Sequence, residues 1–264
     1  MEEKYIAEHY TNYDENGRLI TRTGSVEYIT TMKYIHNALK PRMRILEVGA
    51  GTGRYSLSLS REGYDVTAVE LVEHNISVFK SRLAETDRVK IMQGNILDLS
   101  FLNSEEFDLT LVLGPMYHLY TEEDKIRALR EAKRVTKPNG LIMAAYCMNE
   151  AVIMTYGFKG DGSNILNCLK KNMITSSFHC ISKPEDIFEM VRLEDIDRLN
   201  AAVGLKRQKI IATDLFTHYM PQAIEGWSEE VFQIYLKYHL TVCERPDLIG
   251  ISHHTLDILT KEHI

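Results

Sequence analysis

The stretch ILEVGAGTGRYSLSLSREGYDVTAVE, Ile45 to Glu70, decides the fold. An apolar run, Ile45 to Val48, leads into Gly49, Gly51 and Gly53, and a second apolar run closes on Glu70, seventeen residues after the last glycine. Glycine belongs where the backbone curls sharply or where a ligand must approach it. A helix opening near Arg54 would then aim its unpaired amides into the same crevice. Alone, a GxGxG is a weak signal that any strand-to-helix turn could produce. An acid at the end of the next strand strengthens it, because a carboxylate there can accept two hydrogen bonds from ribose hydroxyls.

Working outward, five apolar runs bounded by turn residues read as strands of a parallel sheet: Arg44 to Val48, Val66 to Val69, Val89 to Met92, Phe107 to Leu113 and Leu141 to Tyr146. Helical patterns separate them. The stretch TEEDKIRALREAKRVTKPNG begins with Thr121 as a cap and acids in the first turn, and ends with cations before a Lys-Pro-Asn-Gly turn. RLEDIDRLNAAVGL carries Leu193, Ile196, Leu199 and Val203 at helical spacing, and KRQKIIATDLF and HHTLDILTK read as two late strands. Such alternation predicts a doubly wound α/β sheet with its ligand crevice at the carboxyl ends of the strands.

The chain has 264 residues, a length that fits one elaborated α/β domain. Two stretches stand outside the alternation, 147–190 and 218–250. Each follows a strand's carboxyl end, so both are expected to cap the crevice, with residues 1–40 as a lid and helix at the amino end.

Composition narrows the functional classes. Apolar content of 44% and charged content of 26% exclude a disordered or fibrous chain. A net charge of −6 disfavours a protein that grips a long phosphate backbone, so nucleic acid is not the expected partner. The apolar runs are too short for a membrane span and the amino end lacks a signal-peptide pattern, so a cytoplasmic location is expected. Cys147, Cys168, Cys180 and Cys243 form no CxxC pair, so reduced thiols and no metal site are expected.

Taken together, LEVGAGTG, Glu70, the QGNILDL stretch and KPNG resemble the class I S-adenosylmethionine-dependent methyltransferases, closely from about Ile45 to Tyr146. The resemblance implies a Rossmann-like seven-stranded sheet of order 3-2-1-4-5-7-6 and S-adenosyl-L-methionine as cofactor. Matched by position, it places Glu47, Gly49, Gly51 and Gly53 around the cofactor's methionine portion. Glu70, followed by Leu71, falls on the ribose. Asn95 and Ile96 fall on the adenine, where aspartate is commoner than Asn95, and Leu113 and Gly114 lie beside the amino group. A nicotinamide fingerprint would space its third glycine three residues after the second, and here the spacing is two.

Methyl transfer to an activated sulfonium carbon asks the enzyme mainly to align a nucleophile and exclude water. LGPMYHLY, after the fourth strand, is the expected acceptor contact, with Tyr117 and His118 as catalytic candidates. His118 reads either as a base, from its ordinary pKa, or as a packed histidine bonded to a backbone carbonyl. Tyr13 and Arg18 are candidate substrate contacts from the lid. The sequence thus predicts a methyltransferase of a small-molecule acceptor. Alternatives are an RNA or protein acceptor, or an S-adenosylmethionine-binding module without turnover.

Overall fold

A computed structural model describes residues 2–12, 17 and 21–261. Eight strands form one sheet: β1 (Arg44–Val48), β2 (Asp65–Glu70), β3 (Val89–Gln93), β4 (Phe107–Val112), β5 (Thr136–Met148), β6 (Met190–Val191), β7 (Leu205–Ala212) and β8 (His254–Lys261). The order is β3-β2-β1-β4-β5-β8-β7, with only β8 antiparallel to its neighbours and β6 a two-residue addition beside the end of β5. Setting β6 aside, this is the expected 3-2-1-4-5-7-6.

The central strands β1, β2 and β4 are mostly apolar because both faces of the sheet are buried there, whereas the edge strands β3 and β7 are partly exposed. Leu46, Val48, Val69, Val112, Ile142 and Ala144 face one core. Their neighbours Ile45, Leu109, Leu111, Met143, Ile211 and Ile258 face the other.

The helices are α1 (Glu2–Asn12), α2 (Arg22–Ala38), α3 (Arg54–Arg61), α4 (Glu73–Ser81), α5 (Glu122–Val135), α6 (Asn149–Val152), α7 (Asn164–Lys170), α8 (Leu193–Val203), α9 (Pro221–Gly226) and α10 (Glu229–Val242). Thr121 caps α5 as expected, its Oγ1 accepting from the Asp124 amide at 3.1 Å. The expected Lys-Pro-Asn-Gly turn lies inside the span of β5. Between Phe107↔Thr136 and Leu109↔Leu141 the pairing with β4 skips, so the turn bulges out of the strand. At Gly140 a Cβ would meet Thr136 Cγ2 at 2.6 Å and the Asp108 carbonyl at 2.9 Å.

The two stretches outside the alternation differ in placement. From the end of β5 the chain runs through α6, a π-helical turn (Ile153–Gly157) and α7 before returning at β6. The second stretch packs on α2, where Val26 meets Ile224, Phe232 and Leu236, and Thr30 Oγ1 lies 2.9 Å from His239 Nε2. Among the described residues no helix is long and apolar enough to cross a membrane.

Candidate active site

The three glycines all have positive φ, +74° at Gly49, +53° at Gly51 and +83° at Gly53, but for different purposes. A Cβ at Gly49 would lie 2.6 Å from the Pro115 ring, and one at Gly53 would lie 2.2 Å from the ring of Phe79. At Gly51 a Cβ would meet nothing within 4 Å. Gly51 and Gly49 line a cavity of about 140 Å³ at the carboxyl ends of β1, β2 and β4, whereas Gly53 stands behind it.

Two buried carboxyls anchor this loop. Glu47 Oε2 accepts from the Ser56 amide at 2.9 Å and from the Ser56 hydroxyl. Burial pushes its pKa up to about 8, against the lowering effect of those two bonds. Glu70 Oε2 accepts from the Gly51 amide at 2.8 Å, and Oε1 from the Val72 amide at 2.9 Å and Asn75 Nδ2 at 3.2 Å. Burial raises this carboxyl as well, opposed by the same donors. Glu70 therefore shapes the glycine loop while lining the cavity, with one acceptor position left, on Oε2.

Leu71, Asn95, Ile96, Leu113 and Gly114 also line this cavity. Asn95 is more committed than its expected role required. Its Oδ1 accepts from the Leu97 amide at 3.0 Å and its Nδ2 donates to Glu3 at 2.8 Å, tying α1 to the end of β3. Ile96 is buried beside it. Tyr13 and Arg18 lie outside the described residues.

Sequence reasoning missed Arg54. Its guanidinium lies 4.3 Å over the ring of Tyr28, and its buried Nε has no hydrogen-bond partner. It is a cation in a cavity otherwise supplied with carboxyls, at the first residue of α3. The signal lay in the position, a cation directly after the glycines with no acid three or four residues on to pair with it.

Tyr117 and His118 follow β4 on a 3₁₀ turn, Pro115–His118. The Tyr117 hydroxyl donates to the Leu113 carbonyl at 2.9 Å. His118 Nδ1 lies 2.9 Å from the Ile187 carbonyl, and a carbonyl only accepts, so the ring proton sits on Nδ1. Nε2 then accepts from the Tyr10 hydroxyl at 2.9 Å. Burial pushes the His118 pKa down to about 4, so the ring is neutral at physiological pH and not the near-neutral titrating group expected of a base.

Tyr10 and Tyr117 also line a second, larger cavity of about 670 Å³. Its walls come from the end of β5, the π-helical turn and the segment before β6, including Cys147, Ile153, Met173 and Phe188, with His218 and His254 opposite. Of the second stretch outside the alternation, His218 and Pro221 reach it. Two cavities thus meet at a tyrosine wall.

A carboxylate with an acceptor position open to a ribose hydroxyl, a glycine open to the cavity and an unpaired guanidinium for an α-carboxylate fit S-adenosylmethionine. Comparison with known proteins agrees. Residues 45–140 match the family model described as methyltransferase domain. The chain is 27% identical over 197 residues to the ubiquinone biosynthesis O-methyltransferase of Rickettsia akari, covering 73% of this chain and 75% of that one. It is 30% identical over 104 residues to the demethylmenaquinone methyltransferase of Staphylococcus aureus, 38% of this chain and 42% of that protein. Matches to several such curated relatives span less than half of their length. Among solved structures, the CcbJ methyltransferase of Streptomyces caelestis superposes with a TM-score of 0.61 at 15% identity, over 100% of both chains, which bears on the fold. Residues 45–140 thus match a methyltransferase domain, and the chain as a whole has the fold of solved methyltransferases.

Proposed function

We propose that this chain transfers a methyl group from S-adenosylmethionine, held in the smaller cavity, to a small-molecule acceptor held in the larger one. The observation that carries this reading is the shared wall: Tyr10 and Tyr117 border both cavities. The cofactor supplies an already activated methyl. The protein's task is then to align the acceptor and keep water out.

In this reading Glu70 accepts from a ribose hydroxyl through Oε2, Ile96 packs on the adenine, and Asn95 borders it while tethering α1. Arg54 pairs with the carboxylate of the cofactor's methionine portion, and Gly51 leaves room for its chain. Leu113 and Gly114 lie beside the amino group, and Glu47 holds the start of α3 through Ser56. Tyr117 is the residue set against the acceptor. His118, neutral and engaged on both nitrogens, is a positioning residue that fixes Tyr10 across the junction.

A small acceptor suits a largely apolar chamber roofed by α6, the π-helical turn and α7. Relatives whose names specify quinone precursors or glycine and sarcosine point the same way. Filling the chamber tests the assignment. Ile153→Trp should leave adenosylhomocysteine affinity unchanged and abolish methyl transfer. Full transfer in that variant would place the acceptor elsewhere.

A further inference from the structure

Behind the acceptor chamber, three residues converge on one point. Asp214 follows β7, His218 lies one turn on, and His254 opens β8. The carboxylate is fully buried. Its Oδ1 accepts from Ser252 Oγ at 2.6 Å and from the amides of His253 and His254 at 2.8 and 3.1 Å. Those donors fix the group so that Oδ2 faces two imidazoles, His254 Nδ1 at 2.7 Å and His218 Nε2 at 3.2 Å. His218 Nε2 is buried and makes no hydrogen bond in spite of that proximity. The three atoms all lie within 4.8 Å of one another.

We propose that Asp214, His218 and His254 bind a divalent transition-metal ion at the back of the acceptor chamber. Bonds of about 2.0–2.2 Å to imidazole nitrogen and carboxylate oxygen place neighbouring donors roughly 3–3.5 Å apart. The Asp214–His218 separation already has that value. The Asp214–His254 pair is held closer by a hydrogen bond and opens by about half an ångström when Nδ1 gives its proton to solvent and takes the ion.

The surroundings are those of a ligand set. Ser252 and two amides hold the distal oxygen of Asp214, the kind of outer support that orients metal ligands. His253 packs against His218 at a tilt of 37° with centroids 4.5 Å apart and is itself fixed by Thr155 Oγ1 at 2.6 Å. Glu27 Oε2 lies 3.7 Å from His254 Nδ1, so a second carboxylate adds negative potential at the same point. Two imidazoles and a carboxylate, without thiolate, suit zinc, cobalt, manganese or ferrous iron better than calcium or magnesium. Because His218 and His254 also line the chamber, the remaining coordination positions face the acceptor, where the ion would seat an acceptor oxygen or nitrogen.

The test is binding alone, so it stands whether or not methyl transfer is found. Chelator-stripped protein is titrated with Co²⁺ and followed by visible absorption, with Zn²⁺ as the competitor. The expected result is one saturable Co²⁺ per chain with a ligand-field spectrum, displaced by Zn²⁺, and weakened at least about tenfold in His218→Gln. His218 sits on a short turn with its side chain 28% exposed, so this variant should fold, and unchanged adenosylhomocysteine affinity checks that it has. Asp214→Asn should abolish the spectrum. No saturable binding up to about 1 mM, or equal binding in His218→Gln, would overturn the proposal.

Discussion

Substituting alanine at Gly51 and at Gly53 should separate cofactor binding from folding. Both positions have positive φ, where a Cβ costs about 1–2 kcal/mol. At Gly53 the new methyl comes within 2.2 Å of the fully buried ring of Phe79, and overpacking of this kind adds about 1–3 kcal/mol. At Gly51 it meets no protein atom and projects into the cavity. For a chain of this size about 1 kcal/mol shifts Tm by roughly 2–4 °C. Gly51→Ala should therefore lower Tm by only a few degrees, and Gly53→Ala by about twice that or more. Affinities should reverse the ranking. Calorimetric titration with adenosylhomocysteine should show about a tenfold or greater loss for Gly51→Ala, roughly 1.4 kcal/mol, and near wild-type affinity for folded Gly53→Ala. Equal destabilisation of the two variants, or wild-type affinity in Gly51→Ala, would refute the division of roles.

Arg54→Leu should weaken adenosylhomocysteine about tenfold or more while leaving methylthioadenosine, which lacks the carboxylate, unaffected in the same titration. Equal losses for both ligands would move Arg54 away from the carboxylate. Glu47 sets a pH signature: its folded pKa is raised by burial to about 8, from an ordinary value of 4.5. The unfolded chain releases this proton first, so its contribution is fully present below pH 4.5 and is lost as pH rises towards 8. Denaturant unfolding across that window should show a smaller decline in Glu47→Gln, which keeps an acceptor for Ser56, than in the wild type. Parallel curves would refute the raised value.

The parts of this molecule legible in sequence are those fixed by neighbours along the chain. Buried central strands have to be largely apolar, so β1, β2 and β4 stood out, while β3, β7 and β8 were marked by shorter apolar stretches, and the glycine-to-Glu70 spacing is set by one turn, one helix and one strand. The two-residue β6 carries no pattern of its own and exists because residues 190–191 return beside the end of β5. The glycines looked equivalent as letters, and only the packing of Phe79 and Pro115 distinguishes them. His118 kept its ordinary pKa on paper. Its burial against Phe188, whose ring centroid is 5.4 Å away, and its bonds to Tyr10 and Ile187 join residues at least 69 positions apart from it. The Asp214–His254 pair spans 40 residues and is assembled by the pairing of β7 with β8.

The most direct test of methyl transfer to a small acceptor is to incubate the purified chain with methyl-labelled S-adenosylmethionine and a whole-cell extract, then separate small molecules from macromolecules. The two-cavity arrangement predicts protein-dependent label among the small molecules, lost in Ile153→Trp. Label confined to RNA or protein, or no transfer by protein that demonstrably binds adenosylhomocysteine, would contradict it.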